Sequence, residues 1–120
     1  MNTGKTIGDW GERLARAYLE SKGFDHVASK YQTRYGEIDL IMRDGEYVIF
    51  VEVKLRRDRE HGEAREFVTL AKRKRVRNTA QIWLIANETD LQPRFDVIEI
   101  YAPDGANTAS PEIIHLEDAF

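Results

Sequence analysis

The 120-residue chain contains no cysteine, three prolines, three histidines and no long apolar run. The missing cysteine excludes a disulfide framework, a thiolate metal site and a cysteine nucleophile. It also fits a reducing compartment, so the expected location is the cytoplasm. His26, His61 and His115 lie far apart and lack zinc-site spacing. The first thirty residues hold no apolar stretch of signal-peptide type. The longest apolar run, Tyr47 to Val51, is far too short to cross a bilayer, so no membrane partner is expected. No repeat, linker or low-complexity tract divides the chain, and its length suits a single domain over residues 1–120.

Charge is present in both signs but unevenly placed. The net charge is -3, yet Lys54 to Arg77 holds ten Lys/Arg against four Asp/Glu. A basic block on an acidic chain suggests one surface suited to an anion, although a solvated charged face explains it as simply.

Periodicity predicts helix, three strands, helix, strand and a short edge strand. The first helix runs from about Ile7 to Lys22, with Thr6 and Asp9 at capping-box spacing. Trp10, Leu14, Ala17 and Tyr18 are its expected core face. Strands are expected at Phe24–Tyr31, Gly36–Arg43 and Glu46–Leu55, the last two joined by the hairpin dipeptide Asp44-Gly45. Residues 57–67 read as a mobile loop. A second helix is expected from near Thr69 to Asn87, then strands at Arg94–Tyr101 and Ile113–Leu116. The fold class is α/β, a mixed central sheet with flanking helices.

The predicted hairpin has an unusual face. Alternation places Ile38, Leu40, Met42, Tyr47, Ile49, Val51, Val53 and Leu55 on one side, uniformly apolar. The other side carries Ile41, Val48 and Phe50 in its middle, with Glu37, Asp39, Glu52 and Lys54 gathered towards one end. With Arg43 opposite Glu46, Asp39 and Glu52 become diagonal neighbours, their backbones roughly 7–8 Å apart. The apolar middle implies a covering helix, so the acids sit at the rim of a covered sheet. Carboxylates there need compensation. Mg²⁺, or Mn²⁺ in its place, is suited to the task, since it takes one or two carboxylates plus water and phosphate oxygens. Asp39 and Glu52 are therefore the candidate metal ligands. The plain alternative is a solvated strand end with a Glu52–Lys54 ion pair.

Two helices could complete such a site. Glu12 lies at the margin of the first helix's apolar face, with Gly8 one turn before it and Gly11 next to it, and could lean towards a metal; an exposed glutamate explains it equally well. The second helix opens on Lys72-Arg73-Lys74-Arg75, followed by Arg77. Cations at that end oppose the helix dipole and become favourable when an anion docks. Together with Arg56 and Arg57 they form the candidate nucleic-acid surface, for phosphate contact rather than base readout. Asp96 interrupts an apolar strand; it either touches the site or bonds a loop, and the structural role is the favoured one.

Four segments carry a resemblance. Gly11-Glu12-Arg13-Leu14-Ala15, Gly36-Glu37-Ile38-Asp39-Leu40-Ile41, Phe50-Val51-Glu52-Val53-Lys54 and Arg94-Phe95-Asp96-Val97 resemble the YraN-like family of small bacterial proteins. That family is similar in pattern to archaeal Holliday-junction resolvases and the restriction-endonuclease-like superfamily. The resemblance implies an αβββαβ core and a metal-dependent nuclease, with branched DNA as the suggested substrate. It implies Asp39 as the core acid, Glu52 and Lys54 as the acid–x–lysine motif, and Glu12 as the helical glutamate of the resolvase-like branch. In the mechanism it implies, Asp39 and Glu52 hold the metal with the Val53 carbonyl as a further ligand, and Lys54 acts on water or phosphate.

The leading sequence reading is thus a Mg²⁺-dependent endonuclease acting on nucleic acid, DNA in the first place. A non-catalytic nucleic-acid-binding module that keeps the metal-site residues comes second, and an adaptor for an acidic protein third. A homodimer would offer two sites to two strands, but no feature of the sequence specifies one.

Overall fold

A computed structural model describes residues 3–58 and 69–120, with the side chains of residues 3–6 left aside. The elements are α1 (Thr3–Ser21), β1 (Asp25–Thr33), β2 (Gly36–Asp44), β3 (Tyr47–Arg56), α2 (Leu70–Asn87), β4 (Gln92–Tyr101) and β5 (Glu112–Leu116). A short 3₁₀ turn at Gly105–Asn107 precedes β5. The strands form one sheet in the order β1-β2-β3-β4-β5. All neighbours are antiparallel except β3 and β4, which run parallel. Parallel strands need a crossover, and α2 supplies it. The order αβββαβ followed by an edge strand is that of the restriction-endonuclease-like core, as the sequence led us to expect. Most of the expected 57–67 loop lies outside the described residues.

Each helix covers one face of the sheet. Ala15 and Leu19 of α1 pack with Leu40, Met42, Ile49, Val51, Ile98 and Ile100. Val76, Ala80 and Trp83 of α2 pack with Ile38, Ile41, Val48 and Phe50. The spacing of Val76, Thr79, Ala80 and Trp83, all buried, is that of a single helical face. The second face therefore has the helical cover its apolar middle called for.

Several expectations are corrected. The first helix already includes Thr3, so Thr6 lies inside it and is no N-cap. Ala17 is exposed, because the buried stripe runs through Gly11, Ala15 and Leu19 and leaves position 17 turned outward. The hairpin pairs Asp44 with Tyr47 and Arg43 with Val48, two residues away from the expected register. Its two loop residues are Gly45 and Glu46, with Gly45 at φ 58°. A positive φ confined to the first loop position is the glycine-first pattern of a type II′ turn, whereas the expected loop required Asp44 to adopt one as well. A two-residue slip preserves faces, so the central grouping survives. Ile38 is the exception, packing with Ile41 beneath α2 rather than with Leu40.

Candidate metal and nucleic-acid site

The register of β2 and β3 runs to Leu40 opposite Val51. Asp39 and Glu52 each lie one residue beyond the end of that ladder. There the ladder gives way to a side chain, for the Val53 backbone N–H donates to Asp39 Oδ2 at 2.8 Å. Val53, predicted through its carbonyl, thus positions Asp39 through its amide.

Glu52 follows Phe50 onto the α2 side of β3 and is buried. Thr69 caps α2, its hydroxyl accepting from the Lys72 N–H at 3.1 Å. The capped first turn carries Lys72, whose Nζ lies 2.5 Å from Glu52 Oε1. Lys54 Nζ lies 3.6 Å from the same oxygen. The anion that meets the basic helix start is therefore one of the protein's own carboxylates. A negative charge there is favourable, because the helix N-terminus already carries partial positive charge.

Glu12 arrives from the opposite face. Gly11 lets α1 lie close to β3, for a Cβ at that position would come within 3.1 Å of the Leu55 side chain. Glu12 is thereby held against the sheet, its side chain 15% exposed. Carboxylate oxygens of Glu12, Glu37 and Asp39 lie within 4.8 Å of one another. Glu37 is in the sequence an acid two positions before Asp39, and no motif gives it a role.

The charges of these groups are strongly interdependent. Burial is the main force pushing the Asp39 carboxyl up to about 7, with Glu52 next and Glu12 adding to it; the Val53 amide pulls the other way. Burial lowers the Lys54 ammonium, and Lys72 beside it lowers it further. Burial also opposes the charge on Lys72, but its contacts with Glu52 outweigh that and raise it. Glu52 and Glu12 each have a lysine within salt-bridge distance, whereas Asp39 has none among the described residues.

The remaining basic candidates are dispersed. Arg57, Lys74 and Arg75 are exposed, with the Arg75 Cβ 3.6 Å from where a Cβ on Gly36 would lie. Arg73 is half-buried. Arg56 reaches buried Glu99, Nε to Oε2 at 3.4 Å. Arg77 lies over the rings of Phe95 and Phe120, at 5.8 and 5.9 Å. Asp96 is structural, as read from the sequence. It accepts from both Nε and an Nη of Arg94 and from the Asp118 N–H, and pairs with His115.

A family model described as uncharacterised protein family UPF0102 matches residues 11–100. The chain is 39% identical to a UPF0102 protein of Geotalea daltonii over 120 residues, 99% of this chain and 92% of the relative. It is 40% identical to one of Nocardia farcinica over 117 residues, covering 97% and 90% of the two chains. With one of Vibrio parahaemolyticus it shares 42% identity over 99 residues, 81% and 82% of the two.

Proposed function

The chain belongs to the UPF0102 family, and we propose that it is a metal-dependent nuclease acting on nucleic-acid phosphodiesters, with branched DNA as the first substrate to try. One observation carries the reading. A carboxyl pushed up to about 7, Asp39, lies within 4.8 Å of the Glu12 and Glu37 carboxylates and feels the charge of Glu52, which is not part of that group, beside an amine of lowered basicity, Lys54. Perturbed acids and amines converging on one spot are what active centres need.

The donor set fits a hard divalent cation: all side-chain donors are oxygens, and the crowded negative charge lacks a full counter-charge. Asp39 and Glu52 would hold Mg²⁺ or Mn²⁺, with Glu12 and the Val53 carbonyl as further donors. When bound, such an ion polarises a phosphoryl oxygen and offsets negative charge at the scissile group. Lys54 Nζ orients the attacking water or donates to the phosphate as charge develops there. Exposed Arg57, Lys74 and Arg75, with Arg73, hold the backbone through sequence-independent contacts.

The test is cleavage of junction, flap, duplex and single-stranded substrates with Mg²⁺, Mn²⁺ or EDTA. Asp39→Ala and Lys54→Ala should each lower divalent-dependent cleavage at least about a hundredfold while gel-shift affinity stays near that of the parent. Parent-like cleavage by either variant would refute the assignment.

A second reading is a nucleic-acid-binding module that retains these residues without turnover. The occupation of Glu52 by Lys72 and Lys54 favours it, because the motif's acid is then already neutralised. Structure-selective DNA shifts without cleavage under both metals would establish it. No helix among the described residues is long and apolar enough to cross a membrane.

A further inference from the structure

Lys30 is the residue of the site region that neither motif nor pattern singles out. It sits in β1, opposite the level of Asp39, between the pairs Ser29–Leu40 and Tyr31–Ile38. Its backbone is left-handed, φ 51°, a conformation that residues with a side chain seldom adopt. The consequence is a break in alternation. Ala28 and Tyr31, three residues apart, both pack into the cluster beneath α2. Lys30 reaches the other face, where Nζ lies 2.7 Å from Glu12 Oε2 and 2.9 Å from Asp9 Oδ1. These groups line a recess of about 220 Å³ together with Arg13, Arg16, Ser29 and Leu40.

We infer that Lys30 is a tethered cation that holds Glu12 in the metal-free protein and must release it when a divalent ion enters. The inference rests on the metal reading of the site. Glu12 shares its corner with Glu37 and Asp39, and the Oε2 that Lys30 holds is an oxygen and a charge that a divalent ion there would compete for. A backbone conformation of this kind persists where its surroundings impose it, and such positions cluster at functional sites. Here the imposed turn delivers the ammonium to the glutamate. Lys30 is thus a positioning residue that sets the metal affinity of the corner, and it does not itself touch substrate. Lys72 makes the corresponding contact on Glu52 from the opposite face.

The test is Mn²⁺ titration followed by the electron paramagnetic resonance signal of the free ion, a readout independent of cleavage. Lys30→Asn removes the charge and tolerates the left-handed backbone. It should bind Mn²⁺ about tenfold more tightly than the parent, as expected when a nearby positive charge is removed. Lys30→Arg keeps the charge and should remain within about twofold of the parent. Circular dichroism on each variant verifies folding, and Asp39→Asn serves as the control without binding. Tighter binding confined to Lys30→Asn supports the inference, including the case in which the parent binds too weakly to measure. Parent and Lys30→Asn binding equally, or Lys30→Arg behaving like Lys30→Asn, overturns it and leaves the metal reading intact. No Mn²⁺ binding by the parent or either variant overturns both.

Discussion

Asp96 and Asp39 lie on strands either side of β3, and both are withdrawn from water, yet their states are opposite. Asp96 is fully buried, and burial alone would raise its carboxyl. His115, Arg94 and the Asp118 amide overcome that and hold it below its ordinary value. Asp39 is pushed up to about 7 by burial first, with Glu52 and then Glu12 adding to it, against one amide donor from Val53 and the charge of Lys72. Partners decide the state of a buried acid more than depth does. An acid whose partners are supplied by the fold is part of the framework. An acid left under-compensated is where a ligand from outside gains most.

The contrast can be broken most forcefully at Asp96. Removing one member of a buried, bonded charge group strands the others, so Asp96→Ala should cost about 3 kcal/mol in urea unfolding. The pH dependence follows from the lowered carboxyl. Asp96 contributes stability above its unfolded pKa, near 3.8, and that contribution disappears as pH falls through the folded value. Asp96→Asn should flatten this acid limb; a variant as stable as the parent, with the limb unchanged, would remove Asp96 from the framework.

Asp39 predicts the reverse. Its folded carboxyl lies above the unfolded value of 3.8 and reaches about 7, so the native state binds the extra proton. In EDTA the stability of the parent should therefore fall as pH rises between those values and level off above them. Asp39→Asn should lack that fall and be more stable than the parent at pH 8, by roughly 1–2 kcal/mol. A destabilised Asp39→Asn would place Asp39 with Asp96 as framework.

The smallest effect sharpens the cause. Glu52 and then Glu12 contribute to the raised carboxyl of Asp39. Glu12→Gln should end the fall in stability at a slightly lower pH than in the parent, and Glu52→Gln at a lower pH still. Equal profiles for all three proteins would leave burial alone as the cause.

Much of this corner was legible because strand alternation and helix periodicity are local properties. Glu52 and Lys54 share a face by spacing alone, and the apolar centre around Ile41, Val48 and Phe50 announced the helix that covers it. The exact register was not legible, since Asp44-Gly45 and Gly45-Glu46 are both good two-residue turns and only the torsions distinguish them. Lys30 was invisible because no pattern rule anticipates a left-handed lysine within a strand. The sequence groups Lys72 with the cations of a phosphate surface; its contact with Glu52 depends on where the crossover lands the start of α2, which local sequence does not encode. Glu12 and Glu37 meet through tertiary packing, in which Gly11 sets α1 close to the Leu55 side chain.

The irregular backbone of β1 has a further effect. β1 forms one border of the sheet, where unpaired amides and carbonyls invite another chain to add on. Its pairing shifts between His26 and Ala28, and Lys30 adds a left-handed residue within it. Both irregularities thus fall on the strand that a further chain would have to pair with at this border, and a bulged edge is a poorer template for strand addition than a regular one.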